Sequence, residues 1–194
     1  MSLATRMYQD ASDEELVRLC QKRLPGDLRP FHALVNRYRD RVINISYRFL
    51  SDPHDAEDVA QEIFLKIYRG LPDFQARSSF STWLYTITSN TCKNRLRRRD
   101  RRPSLLEPDL ESLGIRLPKN PSTEQFVIAR ERRDAIQETL EELSETYREA
   151  LILRDIQGLS YREISKVLEI GLSAAKMRVR RARLAFQKLY ERKT

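Results

Sequence analysis

The sequence predicts an all-α protein built from two small helical domains. Apolar residues recur at helical spacing along most of the chain, and only 5 of its 194 residues are glycine. Residues 103–120 combine prolines, acidic groups and scattered leucines without helical spacing, which is typical of an interdomain linker. We therefore expect an N-terminal domain (1–102), a flexible linker (103–120) and a four-helix C-terminal domain (121–194) that ends in a helix-turn-helix.

The first two helices are predicted by local signals. Ser12 and Glu15 have the spacing of a capping box, which starts a helix through about Lys22. From Pro30 onward, apolar residues at helical spacing indicate one long helix, which Ser51, Asp52 and Pro53 close.

The third helix, from about Asp55 to Arg69, has two distinct faces. An acidic face with an apolar centre is typical of a docking surface for a basic protein, although ordinary solvated charge is the alternative. A metal site formed by Asp52, Asp55, Asp58 and Glu62 is a third interpretation, but no histidine or second acidic cluster completes it. The inward face comprises Ala56, Ala60, Ile63 and Ile67, and the acidic face comprises Asp58, Gln61, Glu62 and Leu65.

The fourth helix carries aromatic and amide side chains followed by an arginine run. It follows a polar loop at residues 74–79, and six of the eight residues 95–102 are arginine. This combination suits single-stranded or melted nucleic acid, because rings stack on bases, amides bond base edges and arginines neutralise phosphates. The alternative is that the apolar residues of this helix are core, which we expect for Phe80, Leu84 and Ile87.

The C-terminal domain is predicted to contain two helices before its helix-turn-helix, one from Ser122 to about Glu142 and one from Ser144 to Gln157. The first helix of the motif opens with a capping box, Ser160 and Glu163, and the second is expected to run from Ala174 to about Tyr190. In the turn between them, Gly171 breaks the pattern and Ser173 is the expected cap.

The last helix separates into an inward and an outward face. Ser173, Met177 and Arg180 point outward, and Lys176 and Arg181 flank them. Cations and a small hydroxyl on the N-terminal half of a helix suit the DNA major groove, whereas a solvated basic helix is the alternative. The inward stripe is Ala175, Val179, Ala182, Phe186 and Leu189.

Charge and cysteine content limit the class of protein. The formal net charge is +8, and residues 171–194 hold 8 Lys or Arg against 1 acidic residue, which favours binding of a polyanion at this end.

The sequence contains neither a signal peptide nor an 18-residue apolar run, so we expect a soluble cytoplasmic protein. Cys20 and Cys92 form no CxxC pair, so two buried thiols are expected, with no metal or other cofactor.

Three motifs together resemble a bacterial sigma factor of the extracytoplasmic function (ECF) class. They are D-A-E-D-V-A-Q-E-I-F-L-K-I-Y-R at 55–69, F-S-T-W-L-Y-T-I-T-S-N-T-C-K-N at 80–94, and L-S-Y-R-E-I-S-K-V-L with K-M-R-V-R-R-A-R-L-A at 159–168 and 176–185. They follow the family's order and spacing over both domains. One departure is Ser-Ala-Ala-Lys-Met-Arg at 173–178, where the family often has Gly-Thr-Val-Lys-Ser-Arg.

The resemblance implies a non-enzymatic subunit that directs core RNA polymerase to promoters and that an anti-sigma factor holds inactive. It implies that the linker threads through the polymerase. The implied polymerase contacts, on the clamp helices of the largest subunit, are Asp58, Gln61, Glu62 and Leu65. The implied contacts in binding and melting the promoter −10 element are Phe74, Gln75, Ala76, Arg77, Trp83, Asn90, Lys93, Asn94, Arg95, Arg97 and Arg98, with capture of a flipped base. The implied −35 contacts are Ser173, Lys176, Met177, Arg178, Arg180 and Arg181.

Two other functions are consistent with parts of the sequence. An autonomous helix-turn-helix regulator would bind duplex DNA without stable polymerase binding, but it would not need the acidic face or the segment from Trp83 to Arg102. A metal-dependent phosphoryl hydrolase would use the acids between Asp52 and Glu62.

Overall fold

The computed structural model describes Tyr8, residues 10–99 and residues 127–193. These residues form α-helices and one π-helical turn, with no β-strand among them, so the all-α prediction is confirmed. The expected linker at 103–120 and the predicted helix start at Ser122 lie outside the described residues. None of the described helices is both long and apolar enough to span a lipid bilayer.

Between residues 10 and 99, the described part of the N-terminal half contains four helices. The predicted capping box is present, because the Ser12 hydroxyl accepts from the Glu15 N–H and the Glu15 carboxylate accepts from the Ser12 N–H. The third helix begins two residues before the predicted start, because the Asp52 side chain accepts from the Asp55 N–H at 2.9 Å. The helices are α1 (Asp13–Arg23), α2 (Arg29–Leu50), α3 (Pro53–Gly70) and α4 (Phe80–Arg99).

The core of this half lies where α2 packs against α3 and α4. Phe31, Phe49, Phe64 and Leu84 are fully buried there. Tyr8, which precedes α1 in the chain, is also buried and accepts a hydrogen bond from Arg23 Nη1 at 2.9 Å.

The C-terminal half ends in the predicted helix-turn-helix. Its last helix packs against the three helices before it, and the capping box at the start of the motif is present. The predicted cap of the last helix is wrong. The helix begins at Leu172 with Gly171 as its N-cap, because Glu169 (φ 53°) makes the left-handed turn and the chain re-enters the helix earlier than expected. The elements are α5 (Val127–Glu142), α6 (Glu145–Leu151) continuing as the π-helical turn Ile152–Ile156, α7 (Tyr161–Val167) and α8 (Leu172–Tyr190).

The two halves pack directly on one another. α7 contacts α4, and α5 contacts α2. At the C-terminal end of α2, Arg148 Nη1 donates to the Phe49 carbonyl at 2.9 Å and Gln137 Nε2 donates to Ser51 Oγ at 2.9 Å. Carbonyls in the last turn of a helix lack intrahelical donors, so the C-terminal half supplies partners that this end of α2 needs.

Both cysteines are free and buried, as expected. Burial raises the pKa of the Cys20 thiol and of the Cys92 thiol to about 12. Because only the thiolate is a good nucleophile, burial lowers the reactivity of both side chains in this fold.

Candidate nucleic-acid interface

The outward side of α8 forms an exposed, positively charged surface, which we call the recognition face. It consists of Ser173, Lys176, Met177, Arg180 and Arg181, all exposed, and Met177 is 45 % exposed. Beneath it, Ala175, Val179 and Ala182 are completely buried, which fixes the rotation of the helix. Phe186 and Leu189, also predicted to face inward, pack partly buried against the same core.

The basic residues of α8 differ in their partners. Within the described part of the chain, Lys176, Arg180 and Arg181 make no ion pair, whereas Arg183 pairs with Asp155 of the π-helical turn through Nε–Oδ2 at 3.1 Å. Arg178 is half-buried. Lys176, Arg180 and Arg181, which the sequence places on or beside the outward side, are therefore exposed and free of ion pairs among the described residues.

The loop before α4 is held at its base and exposed at its tip. Gln21 Nε2 donates to the Phe74 carbonyl at 2.9 Å and to the Leu71 carbonyl at 3.2 Å. Phe74 is half-buried, whereas Gln75, Ala76 and Arg77 are exposed. Ala76 has a positive φ of 52°, so the tip makes a left-handed turn. The Ser79 hydroxyl then accepts from the Thr82 N–H at 3.2 Å and caps α4.

Trp83 combines a packing role with an accessible edge. Its ring lies 4.7 Å from the ring of Phe74 and 6.0 Å from that of Phe80, yet the residue is only half-buried. At Gly70 a Cβ would come within 3.0 Å of the indole, so glycine leaves room for it. Phe80 and Leu84 are core as predicted, whereas Ile87 is only half-buried.

Beyond Trp83, the predicted strand-binding residues of α4 differ in exposure. Asn90 and Asn94 are exposed, and so are Arg97 and Arg98. Arg95 Nη2 donates to Asp55 Oδ1 at 2.7 Å, and this hydrogen bond raises the pKa of Arg95. The Lys93 side chain is 19 % exposed.

The predicted docking face on α3 is less open than its spacing indicates. Asp58 is exposed and Gln61 is half-buried. Glu62 is half-buried and accepts from Lys66 Nζ at 2.5 Å. Leu65, expected at the centre of an outward face, is only 6 % exposed and belongs to the core.

Two of the acidic residues considered above as a possible metal site have other roles in the structure. Asp52 caps α3 and Asp55 pairs with Arg95. Among the described residues, no group of three or more His, Cys, Asp or Glu side chains is arranged to hold a metal ion.

Ser89 and Glu149 are not among the predicted site residues, yet they meet in the structure. Glu149 of α6 is 3 % exposed and pairs with Lys93 of α4, and Ser89 donates to the same carboxylate. Sixty residues separate Ser89 from Glu149. No local pattern could have joined them.

Comparison with known proteins identifies the family. Two family models match, Sigma-70 region 2 over residues 34–102 and Sigma-70, region 4 over residues 133–186. The RNA polymerase sigma-H factor of Pseudomonas aeruginosa is 36 % identical over 187 residues, which cover 94 % of this chain and 95 % of that protein. The ECF RNA polymerase sigma-E factor of Escherichia coli K12 is 36 % identical over 184 residues, which cover 92 % and 94 %. The chain belongs to the ECF sigma factors.

Solved structures agree with the fold of this sigma factor. CnrH in complex with the cytosolic domain of CnrY aligns with a TM-score of 0.71 at 24 % identity, over 94 % of this chain and 99 % of that one. The sigma factor RpoE of Bartonella quintana, in complex with the anti-sigma factor NepR, aligns with a TM-score of 0.64 at 24 % identity, over 83 % and 96 %.

Family membership establishes the general function. As a sigma factor, the chain directs RNA polymerase to specific promoters. Region 2 contains α3 and α4, and region 4 contains the helix-turn-helix. The alternative of an autonomous helix-turn-helix regulator does not account for region 2.

Proposed function

We propose that this sigma factor divides promoter recognition between two faces. The recognition face of α8 reads the −35 element in the major groove. The loop at 74–79 and the outward side of α4 melt the −10 element and hold one of its strands, with Trp83 and the exposed amides facing the bases. In this role the protein acts inside the cell as a dissociable subunit without catalysis of its own.

The observation that carries this proposal is the unpaired, exposed basic surface of α8. Lys176, Arg180 and Arg181 have no ion-pair partner among the described residues and lie over a rigid buried stripe. Guanidinium groups read guanine edges in the major groove, and an apolar side chain such as Met177 contacts a thymine methyl group.

The proposed strand-binding surface has a different chemistry. Trp83 presents a partly open ring, and Asn90 and Asn94 offer both donors and acceptors on the exposed side of the same helix. Arg97 and Arg98 follow with exposed cations. Stacking, edge recognition and phosphate neutralisation thus occur in order along one helix, which suits an unpaired strand.

For docking on core polymerase we propose the polar part of the α3 face, Asp58, Gln61 and Glu62, with Leu65 supporting it from below. Asp58 is the exposed acid, and Glu62 reaches the surface beside Lys66. An acidic patch of this kind suits a basic partner surface.

We also propose an anti-sigma partner. Both solved neighbours are complexes, one with the anti-sigma factor NepR and the other with the cytosolic domain of CnrY. Their similarity to this chain supports the fold, and control by a protein partner is the extension that we propose.

Reconstituted transcription tests the proposed function. The full chain is added to core polymerase on genomic fragments, and transcript starts are mapped. We expect discrete starts that share two upstream elements, that disappear with Trp83→Ala and that become weaker with Arg180→Ala. Starts identical to those of core polymerase alone would overturn the proposal.

A further inference from the structure

A buried carboxylate of the C-terminal half is held by the helix proposed to bind the −10 strand. Glu149 on α6 is 3 % exposed. Lys93 Nζ lies 2.9 Å from Glu149 Oε1, and Ser89 Oγ donates to the same oxygen. Ser89 is 1 % exposed, so this oxygen is enclosed by an ammonium group and a hydroxyl group from α4. A buried charge needs such partners, so Ser89 and Lys93 together form a binding site for an anionic oxygen.

A second acid of α6 extends the pattern. Glu145 Oε1 lies 3.2 Å from Arg97 Nη2. Glu145 and Glu149 are four residues apart on α6, and Lys93 and Arg97 are four residues apart on α4, so each pair spans about 6 Å along its helix. Two negative charges at this spacing resemble neighbouring phosphates of a nucleic-acid strand. Because Arg97 is 67 % exposed, its ion pair with Glu145 contributes little to holding the two helices together. The buried Glu149 therefore makes the more important contact.

We propose that Ser89 and Lys93 bind a backbone phosphate of the −10 strand, and that Glu149 occupies this phosphate site in the closed chain. The inference rests on the proposed function of α4. An ammonium and a hydroxyl that hold a carboxylate oxygen can hold a phosphate oxygen in the same way. Asn90 and Asn94 are exposed next to these residues in the sequence, so a strand bound there would have bases and backbone in contact with one helix.

The closed arrangement cannot coexist with simultaneous contacts to both promoter elements. The −10 and −35 elements are separated by roughly 25 base pairs, or about 85 Å of straight duplex at about 3.4 Å per pair. Here the C-terminal half lies directly on α4. Glu149 must therefore leave the phosphate site when the two faces engage one promoter. The same movement makes Ser89 and Lys93 available to the strand.

Glu149→Gln in the full chain tests this competition. Glutamine keeps the shape and the bond to Ser89 but removes the charge that attracts Lys93. The measurement is fluorescence anisotropy with a labelled single strand that carries the −10 sequence mapped by transcription. We expect about tenfold tighter binding by the free chain, because a larger fraction of molecules is open. Glu138→Gln removes the same charge from the same domain at a site that contacts Lys193, and it should change binding by less than about twofold.

Neutral methylphosphonate linkages in the same strand locate the phosphate. At one position the substitution should weaken binding of the Glu149→Gln chain about tenfold, and adding Lys93→Met should remove the sensitivity at that position alone. Unchanged far-ultraviolet circular dichroism spectra establish that the variants fold.

The outcomes separate the inference from the proposed function. If Trp83→Ala weakens strand binding while Glu149→Gln has no effect, or no linkage depends on Lys93, the phosphate site is refuted and the role of α4 stands. If Trp83→Ala and Asn90→Ala also leave strand binding unchanged, the phosphate site and the proposed role of α4 are both refuted.

Discussion

The two surfaces assigned to promoter DNA differ in how open they are. On α8 the recognition face is exposed along its length: Met177 is 45 % exposed, and Arg180 is exposed as well. On α4 the Ser89 and Lys93 side chains are covered by Glu149 of the other half. The proposed duplex-reading surface is thus preformed, whereas part of the proposed strand-binding surface is covered in the closed chain. This difference ties strand binding to separation of the two halves.

The largest expected effect concerns docking on polymerase, which we expect to separate the halves. In the double variant Gln61→Ala, Glu62→Lys, an acidic residue becomes basic and an amide is removed. The new lysine at position 62 then lies next to Lys66, which pairs with Glu62 in the wild type. We expect at least about a 100-fold loss of affinity for core polymerase, measured by co-purification and titration. Glu14→Lys reverses an exposed charge on α1 and serves as the matched control. Normal co-purification of the double variant would count against the α3 assignment.

The next effect concerns the strand-binding surface. Trp83→Ala removes the partly open ring, and we expect a loss of about 1–3 kcal/mol in binding to the −10 strand, because stacking on a base is worth this amount. Duplex binding at −35 should be unchanged. Trp83→Phe keeps a ring against Phe74 and should restore most of the affinity. An equal loss on −35 duplex would indicate a general folding defect.

A comparable or smaller effect is expected at the recognition face. Arg180→Ala should weaken −35 binding by about 1–3 kcal/mol and change the preferred sequence if the guanidinium reads a base edge. Arg192→Ala removes the same charge beyond the end of α8 and should leave sequence preference unchanged. A selection experiment on randomised −35 duplexes measures both. A uniform loss on all sequences would reassign Arg180 to a phosphate contact.

The smallest effects separate two serines of the helix-turn-helix. Ser160 accepts from the Glu163 N–H at 3.2 Å and caps α7, so Ser160→Ala should lower stability by about 1 kcal/mol in thermal unfolding. Ser173 is exposed inside α8 and caps nothing, so Ser173→Ala should shift stability by less than about 0.5 kcal/mol. A larger loss of stability for Ser173→Ala than for Ser160→Ala would indicate that Ser173 caps α8, as the sequence predicted.

Local sequence signals were sufficient for most of the fold. The capping boxes at Ser12 and Ser160 and the inward stripe at Ala175, Val179 and Ala182 lie where the sequence predicts them. These features depend on residues three or four positions apart, and such neighbours meet in any helix whatever the rest of the chain does.

Features set by tertiary packing were beyond the sequence. Spacing placed Leu65 on the acidic face, but neighbouring helices bury it. The cap at Ser173 was wrong because the left-handed residue of the turn is Glu169. The contact of Glu149 with Lys93 and Ser89 joins residues that are more than 50 positions apart in the sequence, so no periodicity could reveal it.

The central claim is that two separate faces of one chain do two different jobs on a promoter. Permanganate reactivity of −10 thymines and nuclease protection of the −35 element, measured together on one promoter with reconstituted holoenzyme, test it most directly. We predict that Trp83→Ala abolishes permanganate reactivity but keeps −35 protection, and that Arg180→Ala weakens −35 protection. A Trp83→Ala holoenzyme that opens the −10 element like the wild type would contradict the claim.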